Sequence, residues 1–202
     1  IIDEFSNLNN LERVMIVGST GRIHDLLKDI SQENKFSLIS LDVSKNYNPD
    51  ILSDISEYDF SNDKYDVIII SEVLQAVHNP SKAIKNIYQG LKTNGYIIVT
   101  APFIFPIVDR PNDYFRFTKY GLKYLLGDFE EIKIIERNTW IESINVLYTR
   151  LIMNDNILSK FAGFFFIILG YFNYPFVFLL GTVIKSDYLT TGYNAIAKKV
   201  NK

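Results

Sequence analysis

The sequence predicts an α/β fold in which helices cover both faces of a mostly parallel sheet. The strongest sign is residues 67–70, an apolar run of β-formers inside KYDVIIISEVLQAVHNP, because a strand without polar alternation is typically buried on both faces. Residues 96–100 form a second such run. The helix-like segment 81–91 between them has the length of a right-handed crossover, so the two strands should be parallel. Repetition of this alternation predicts a doubly wound sheet.

The first strand is predicted at residues 14–17 and is followed at once by a glycine loop. The loop, Gly18-Ser19-Thr20-Gly21, leads into the helix-like run IHDLLKDI. Glycine allows a sharp turn and close approach of a ligand, and the following helix offers unpaired N–H groups. A plain strand-to-helix turn has the same glycine spacing, so the loop alone leaves both interpretations open.

Polar residues follow two other predicted strands. The second strand, residues 36–41, ends on Asp42, about 20 residues after the glycine loop, where dinucleotide-type folds hold ribose hydroxyls. Alternatively, Asp42 is a loop residue that caps the turn before Ser44. Ser71 and Glu72 come directly after the strand at 67–70, at the edge where α/β sheets bind ligands.

Composition excludes several classes of function. The 21 Lys and Arg against 23 Asp and Glu leave no basic footprint, so no nucleic-acid partner is expected. Without cysteine there is no disulfide, thiolate nucleophile or cysteine-ligated metal, and a cytoplasmic location is expected. Asp50, Asp54 and Asp59 are spread along a turn-rich segment without metal-ligand spacing, so no metal site is predicted. The length suits one domain over residues 1–202.

Five stretches form an ordered set that covers about residues 12–137 and the last predicted strand. They are VMIVGSTG, SLDVS, DILSDISEYDFSNDKYDVIIISEVLQAVHNP, AIKNIYQGLKTNGYIIVTAPF and TTGYNAIAKK. In this order they resemble the class I S-adenosylmethionine-dependent methyltransferases of the methyltransferase domain 11 kind, often met in bacterial surface-polysaccharide gene clusters. The resemblance implies a Rossmann-like seven-stranded mixed sheet whose sixth and seventh strands form an antiparallel edge.

The resemblance also implies S-adenosyl-L-methionine as cofactor and a set of residues around it. The glycine loop would pass under the methionine part, Asp42 would accept the ribose hydroxyls, and Asp54 with Ile55 would contact the adenine edge. The end of the fourth strand would line the methyl-donor pocket. The matching cofactor positions are Gly18, Ser19, Gly21, Asp42, Asp54, Ile55, Ser71 and Glu72.

The acceptor side is expected after the fifth strand, where APFIFPIVDRPNDYFRFT resembles the subfamily pattern PF..P.H..P.DY.RFT. The matching polar residues, and so the catalytic candidates, are Asp109, Asp113, Tyr114 and Arg116. Asp109 or Asp113 would accept a proton, and Arg116 would clamp a carboxylate or phosphate on a small or lipid-linked acceptor, such as a surface glycan precursor. Alternatively, Asp113 and Arg116 form a structural ion pair, and Tyr114 only satisfies its own hydroxyl.

Departures from the family pattern support a second hypothesis. The loop has two glycines rather than three, Ala76 and Val108 replace frequent histidines, and His78 is not an obvious substitute. A catalytically silent module that binds a partner through an apolar insertion would fit these changes. A nicotinamide-dependent reductase fits less well, because the TTGYNAIAKK ending and the Asp54 region match the methyltransferase arrangement.

The last two strands, predicted at 129–136 and 193–197, are separated by some fifty residues. This connection is too long for a hairpin loop and predicts a helical insertion at about 140–188. Residues 161–184 carry no charge and are long enough to span a membrane. However, Pro175 and the residues before it predict a break between two shorter helices, and Gly163, Gly170 and Gly181 also disfavour a span.

Three roles of this apolar segment therefore stay open. It is a cap buried against the core or in a homodimer through residues 157–184, a peripheral contact with the inner face of the membrane, or a true span. A single span would separate the last strand from its own sheet, which disfavours the third role.

Overall fold

The structure, a computed structural model, describes residues 5, 8, 10–184 and 189–200. This part of the chain contains a seven-stranded sheet in the order β3-β2-β1-β4-β5-β7-β6. The first five strands are parallel, and β7 is antiparallel to both neighbours, which confirms the predicted mixed sheet. The strands are β1 (Arg13–Val17), β2 (Ser37–Asp42), β3 (Ile51–Leu52), β4 (Tyr65–Ser71), β5 (Leu91–Pro102), β6 (Glu130–Glu136) and β7 (Gly192–Lys198).

Helices connect the strands and begin at capping residues that the sequence supplies. At the start of α2 (Pro80–Gly90) the Asn79 side chain accepts a hydrogen bond from the Lys82 amide, and a proline occupies the first turn. Thr139 and Glu142 form a capping box at the start of α4 (Trp140–Thr149). The α-helices are α1 (Arg22–Asn34), α2 (Pro80–Gly90), α3 (Lys119–Leu125), α4 (Trp140–Thr149) and α5 (Ile157–Val183).

Strand β4 lies at the centre of the sheet and is buried on both faces, as predicted. Val67, Ile68, Ile69 and Ile70 have no exposed surface. Ile68 and Ile70 belong to the core on one side of the sheet, and Val67 and Ile69 to the core on the other. The apolar run therefore places its polar C-terminal end at the sheet edge.

The connection from β6 to β7 contains α4, a 3-10 turn (Arg150–Met153) and α5. The predicted break at residues 173–175 is wrong: α5 is one 27-residue helix that continues through Pro175. The helix persists because Gly163, Gly170 and Gly181 form a close-packed seam against the preceding segment. A β-carbon on Gly163 would lie 2.3 Å from the backbone nitrogen of Ile152.

Helix α5 is not a cap over the core of the sheet, which contradicts that part of the first predicted role and leaves the homodimer a prediction. Its buried residues are Gly163, Gly170, Val177 and Gly181, and its large side chains are mostly exposed. The seam glycines account for this arrangement, because they bring α5 onto α4 and the 3-10 turn rather than onto the strands.

One edge of the sheet carries the features that concern ligand binding. The parallel strands β1, β2, β4 and β5 have their C-terminal ends there. At the same edge Pro102 of β5 pairs with Gly192, and Glu136 of β6 pairs with Tyr193. The helical insertion therefore leaves the sheet at the edge where doubly wound folds bind ligands.

Candidate functional site

A cavity of about 730 Å³ lies at this C-terminal edge. Its walls come from the ends of β1, β2 and β4, the segment around Asp54, and the loop between β5 and α3. The structure brings eight predicted site residues into the wall: Gly18, Asp42, Asp54, Ile55, Ser71, Glu72, Asp109 and Tyr114. Four others, Ser19, Gly21, Asp113 and Arg116, do not line it.

The glycine loop adopts backbone conformations that explain its two glycines. Gly18 has φ +97°, and a β-carbon there would lie 2.9 Å from Cγ2 of Val73. Gly21 has φ +93° and precedes α1, and a β-carbon there would have no neighbouring atom within 4 Å. Both residues have a positive φ, which favours glycine, but of the two only Gly18 lines the cavity.

Between the glycines, Thr20 lines the cavity, whereas Ser19 is buried beneath it. The Ser19 amide donates to Asp42, and its buried hydroxyl has no hydrogen-bond partner among the described residues. Ser19 thus fixes the loop through its backbone. Thr20 takes the wall position, which the glycine pattern did not indicate.

Asp42 both caps a turn and lines the cavity. Its Oδ2 accepts a hydrogen bond from the Ser19 amide at 2.9 Å, and its Oδ1 accepts one from the Ser44 amide at 2.8 Å. Each carboxylate oxygen can accept a further hydrogen bond. The two predicted roles of Asp42 therefore coexist, and the backbone holds the carboxylate in one orientation at the cavity wall.

Glu72, directly after β4, is fixed by contacts with two other strands. Its backbone has φ +55°, uncommon for a residue other than glycine. Its amide donates to the carbonyl and hydroxyl oxygens of Thr100, at 3.1 and 3.0 Å. Its carboxylate forms an ion pair with Arg137, which follows β6. Strained backbone of this kind clusters at functional sites.

The segment around Asp54 is held rigidly beside the cavity. Asp54 Oδ1 accepts hydrogen bonds from the amide and hydroxyl of Ser56, at 2.7 and 2.8 Å. The Asn86 side chain donates to the Ser56 carbonyl at 2.7 Å. These bonds hold the neighbouring Ile55, a buried apolar residue, in the cavity wall.

Asp113 and Arg116 form the ion pair of the alternative interpretation, and their catalytic role stays a prediction. Arg116 Nη2 donates to Asp113 Oδ2 at 2.8 Å, and the Val108 amide donates to the same oxygen at 3.0 Å. The Asp113 side chain is only 1% exposed, and the Arg116 guanidinium holds the pKa of its carboxyl below the usual value. Arg116 also donates to the Pro106 carbonyl at 3.2 Å. Both side chains are occupied in holding the loop.

This pair borders a separate cavity of about 450 Å³. The cavity is lined by residues from two parts of the β5–α3 loop, 103–107 and 113–116. Tyr114 lines both cavities, whereas Arg116 lines only this second one.

His78 is a wall residue that the motifs did not indicate. Its ring stacks on Tyr114, with centroids 4.6 Å apart and an interplanar angle of 27°. Tyr114 donates its hydroxyl to Asn112 at 2.8 Å, and Arg110 lies in the same wall. The chain that leaves β4 passes along the sheet edge. Because His78 follows β4 closely in the sequence, this closeness was the signal that could have indicated a wall residue. For Arg137, 65 residues from Glu72, the local sequence contains no signal.

Among residues 5, 8, 10–184 and 189–200, no cluster of three or more His, Asp or Glu side chains has the geometry of a metal site. The wall carboxylates can accept hydrogen bonds and interact with positively charged groups.

Comparisons with known structures identify the same fold in several methyltransferases. Phosphoethanolamine N-methyltransferase 2 of Haemonchus contortus, in complex with S-adenosyl-L-methionine, has a TM-score of 0.65 at 15% identity, over 100% of this chain and 51% of that chain. A SAM-dependent methyltransferase from Archaeoglobus fulgidus has a TM-score of 0.63 at 17% identity, over 98% of this chain and 90% of that chain.

A third similar structure is the O-methyltransferase from a trans-AT PKS multienzyme of Brevibacillus brevis, in complex with S-adenosyl-L-homocysteine. Its TM-score is 0.57 at 17% identity, over 97% of this chain and 68% of that chain. The chain spans about half the length of the Haemonchus enzyme. At these identities the similarity establishes the fold.

Sequence comparison supplies the family. No curated protein sequence matches the chain. A family model described as a methyltransferase domain matches residues 11–133, which include β1 to β5 and most of the cavity wall. The chain therefore belongs to the methyltransferase domain family.

Proposed function

We propose that this protein binds S-adenosyl-L-methionine in the 730 Å³ cavity and transfers its methyl group to a small or lipid-linked acceptor, such as a surface glycan precursor. The position of Asp42 carries the proposal. Its carboxylate is held by the amide of the glycine loop at 2.9 Å, on the cavity wall, where a ribose diol needs two acceptor oxygens.

The residues of the wall fit the parts of this cofactor. Gly18 lets the backbone come close to the ligand, Asp42 accepts the ribose hydroxyls, and Ile55 provides an apolar surface for adenine beside Asp54. The Glu72 carboxylate at the end of β4 is paired with Arg137 but is still 41% exposed, so it can also accept a hydrogen bond from a positively charged amino group. When bound, the cofactor supplies a methyl group activated by an adjacent sulfonium.

The chain's part in catalysis is mainly to align the acceptor with that methyl group, because an in-line displacement depends on distance and orientation. Asp109 and His78 lie in the wall and are the candidates to accept a proton from an acceptor hydroxyl or amine. Since Arg116 is occupied by Asp113, we assign to Arg110 the proposed contact with an anionic group of the acceptor.

The wider setting is also proposed. The chain acts as one domain, residues 1–202, with an insertion at about 140–188, in the cytoplasm of a bacterial cell. Residues 157–184 provide either contact with the inner face of the membrane or a homodimer surface. The exposed apolar surface of α5 supports an apolar contact of one of these two kinds.

Isothermal titration with S-adenosyl-L-methionine and S-adenosyl-L-homocysteine tests the proposal. We expect saturable binding of both ligands with one site per chain, and no binding of NADH. Absence of heat at high micromolar concentrations of both ligands would remove the proposed function, whereas binding of NADH alone would favour a reductase.

The catalytically silent module is the second candidate, because Ala76 lines the cavity where related sequences often have histidine. It predicts that cofactor binding is absent, or that cofactor binds without turnover. A measured turnover that is lost in Asp42→Ala would exclude it.

A further inference from the structure

The surface of α5 is apolar on every side except at the seam. Phe165, Phe172 and Leu179, seven residues apart, lie on the side opposite the seam glycines and are 60%, 75% and 60% exposed. The two flanking sides carry other large apolar residues, among them Tyr171 and Phe176. A helix in contact with water on these sides would be polar there.

A helix that is apolar all round belongs in a protein core or in a membrane. A core position is excluded for α5, because only 17% of its most apolar 18-residue stretch is buried. A second copy of the chain, or another protein, would cover one side and leave the others in water. Lipid hydrocarbon contacts all exposed sides at once, so it is the occupant that fits this helix.

The charges near α5 suit lipid head groups. From residue 161 to 184 the sequence has no charged residue, and the charged residues next to this stretch are Lys160 and Lys185. Lys160, in the first turn of α5, is exposed. A basic side chain at the end of an apolar helix, such as that of Lys160, can reach phosphates while the helix stays in hydrocarbon.

The insertion lies along the domain and does not project from it. The arm that precedes α5 is a 10-residue helix and a 4-residue 3-10 turn, about 20 Å in length, which is less than the hydrocarbon thickness of a bilayer. At the far end of α4 the Arg150 guanidinium lies over the Phe105 ring, 5.1 Å from its centroid, and Phe105 belongs to the β5–α3 loop. A crossing of the bilayer would break this contact and carry Arg150 into hydrocarbon. Helix α5 is therefore the outer layer, parallel to the membrane plane.

We propose that α5 lies embedded in one leaflet of a bilayer, and that the methyl acceptor is a lipid-anchored molecule whose polar head reaches the cavity from that leaflet. The insertion and the cavity share one sheet edge, and Arg137, between β6 and α4, pairs with Glu72 in the cavity wall. Docking of α5 thus brings the cavity next to lipid head groups. The membrane contact stands alone, while the choice of acceptor rests on the proposed methyl transfer.

In the transfer, an oxygen or nitrogen of the lipid head forms the new bond to the methyl carbon. The carbon–sulfur bond breaks with its electron pair on sulfur, which converts the sulfonium to a thioether. The proton of the acceptor passes to a wall base or to water. No oxidant, reductant or further reactant is needed.

Vesicle flotation tests the membrane contact. We expect the wild-type protein to float with vesicles of phosphatidylethanolamine and phosphatidylglycerol, and to stay bound at about 0.5 M NaCl because the contact is apolar. The double variant Phe165→Asp/Phe172→Asp should lose vesicle affinity by about tenfold or more. The matched control is Tyr124→Asp, which replaces an 86% exposed tyrosine of α3. It should float like the wild type.

Two results would overturn the membrane contact. One is that the wild-type protein does not float, whether sedimentation shows it to be a monomer or a stable dimer through α5. The other is a double variant that floats as well as the wild type. Thermal unfolding followed by circular dichroism accompanies each variant, and an unchanged transition shows that the domain is folded.

Methyl transfer from labelled S-adenosyl-L-methionine tests the acceptor class, with bacterial membrane lipids in vesicles and the matching water-soluble extract as substrates. We expect label in the lipid fraction, reduced about tenfold or more in the double variant. Label in the water-soluble fraction alone would overturn the lipid-anchored acceptor. Absence of label in both fractions, with vesicle binding intact, would overturn the proposed methyl transfer and leave the membrane contact standing.

Discussion

Asp42 is the single residue on which cofactor binding depends most. Asp42→Asn keeps one acceptor oxygen but introduces an NH₂ group next to the Ser19 or Ser44 amide. We expect affinity for S-adenosyl-L-homocysteine to fall by about tenfold or more, the effect of losing charged hydrogen bonds. Titration calorimetry measures the change.

Asp50→Asn is the matched control for Asp42→Asn. Asp50 also accepts two hydrogen bonds, from the amide and hydroxyl of Ser40 at 2.8 and 2.7 Å, but it lies outside the cavity wall. Its substitution should lower stability and leave ligand affinity unchanged. Equal loss of affinity in both variants would contradict a direct role of Asp42.

The ion pair between Asp113 and Arg116 should contribute to the stability of the fold. Arg116 holds its carboxyl pKa below the ordinary 3.8, so the ionised form stabilises the folded state above that value, and the contribution is lost as pH falls toward the folded-state pKa. Asp113→Asn should reduce the free energy of unfolding by about 2 kcal/mol at pH 7 and by less at pH 3. Urea denaturation at both pH values measures this.

The control for Asp113→Asn is Asp109→Asn, in the same loop at an exposed residue. Its free energy of unfolding should change by less than about 0.5 kcal/mol. If the difference in free energy of unfolding between the wild type and Asp113→Asn grows as pH falls, the stabilising role of the ion pair is contradicted.

At the residue scale, the sequence predicted the position of a site residue where that residue lies next to its strand. It did not predict contacts between residues that are far apart in the chain. Gly18 and Asp42 follow their strands directly, so strand prediction was enough to place them at the sheet edge. The pairing of Glu72 with Arg137 depends on the packing of β6 beyond β7, which no local pattern encodes. Asp113 and Arg116 were located in the correct loop, but whether they face the cavity depends on how that loop folds.

At the scale of elements, α5 shows how packing overrides local propensity. Pro175 removes a hydrogen-bond donor and predicts a break, yet the helix runs through it because the seam against α4 continues on both sides. The apolar character of the helix was visible in its composition, but its exposure was not. The role of its glycines was not, because close packing on a neighbour depends on where that neighbour lies.

Gly163→Ala tests the seam. A β-carbon at Gly163 would lie 2.3 Å from the Ile152 backbone nitrogen, and backbone atoms cannot rotate away. The variant should therefore lose about 1–3 kcal/mol from overpacking, although alanine is the better helix former by about 1 kcal/mol. Thermal unfolding should show a lower Tm than that of the wild type.

Gly121→Ala is the control for the seam. In α3 the nearest atom to its added β-carbon is the Thr118 hydroxyl oxygen at 3.5 Å, an ordinary contact. Helix propensity then decides, and the Tm should stay the same or rise. A Gly163→Ala protein as stable as Gly121→Ala would show that the seam is not closely packed.

At the scale of the whole molecule, the sheet order 3-2-1-4-5-7-6 brings distant parts of the chain to one edge. The ends of β1, β2 and β4 form the cavity, and the segment between β6 and β7 places the apolar helix at the same edge. Alternation of strands and helices was enough to predict the parallel part. The antiparallel β7 followed from the family resemblance, because periodicity does not set strand order.

The most direct test of the central claim is a crystal structure of the protein with S-adenosyl-L-homocysteine. We predict that the ligand occupies the 730 Å³ cavity, with its ribose hydroxyls on the Asp42 carboxylate and its adenine against Ile55. Ligand bound away from the ends of β1, β2 and β4, or a cavity without ligand at saturating concentration, would contradict the claim.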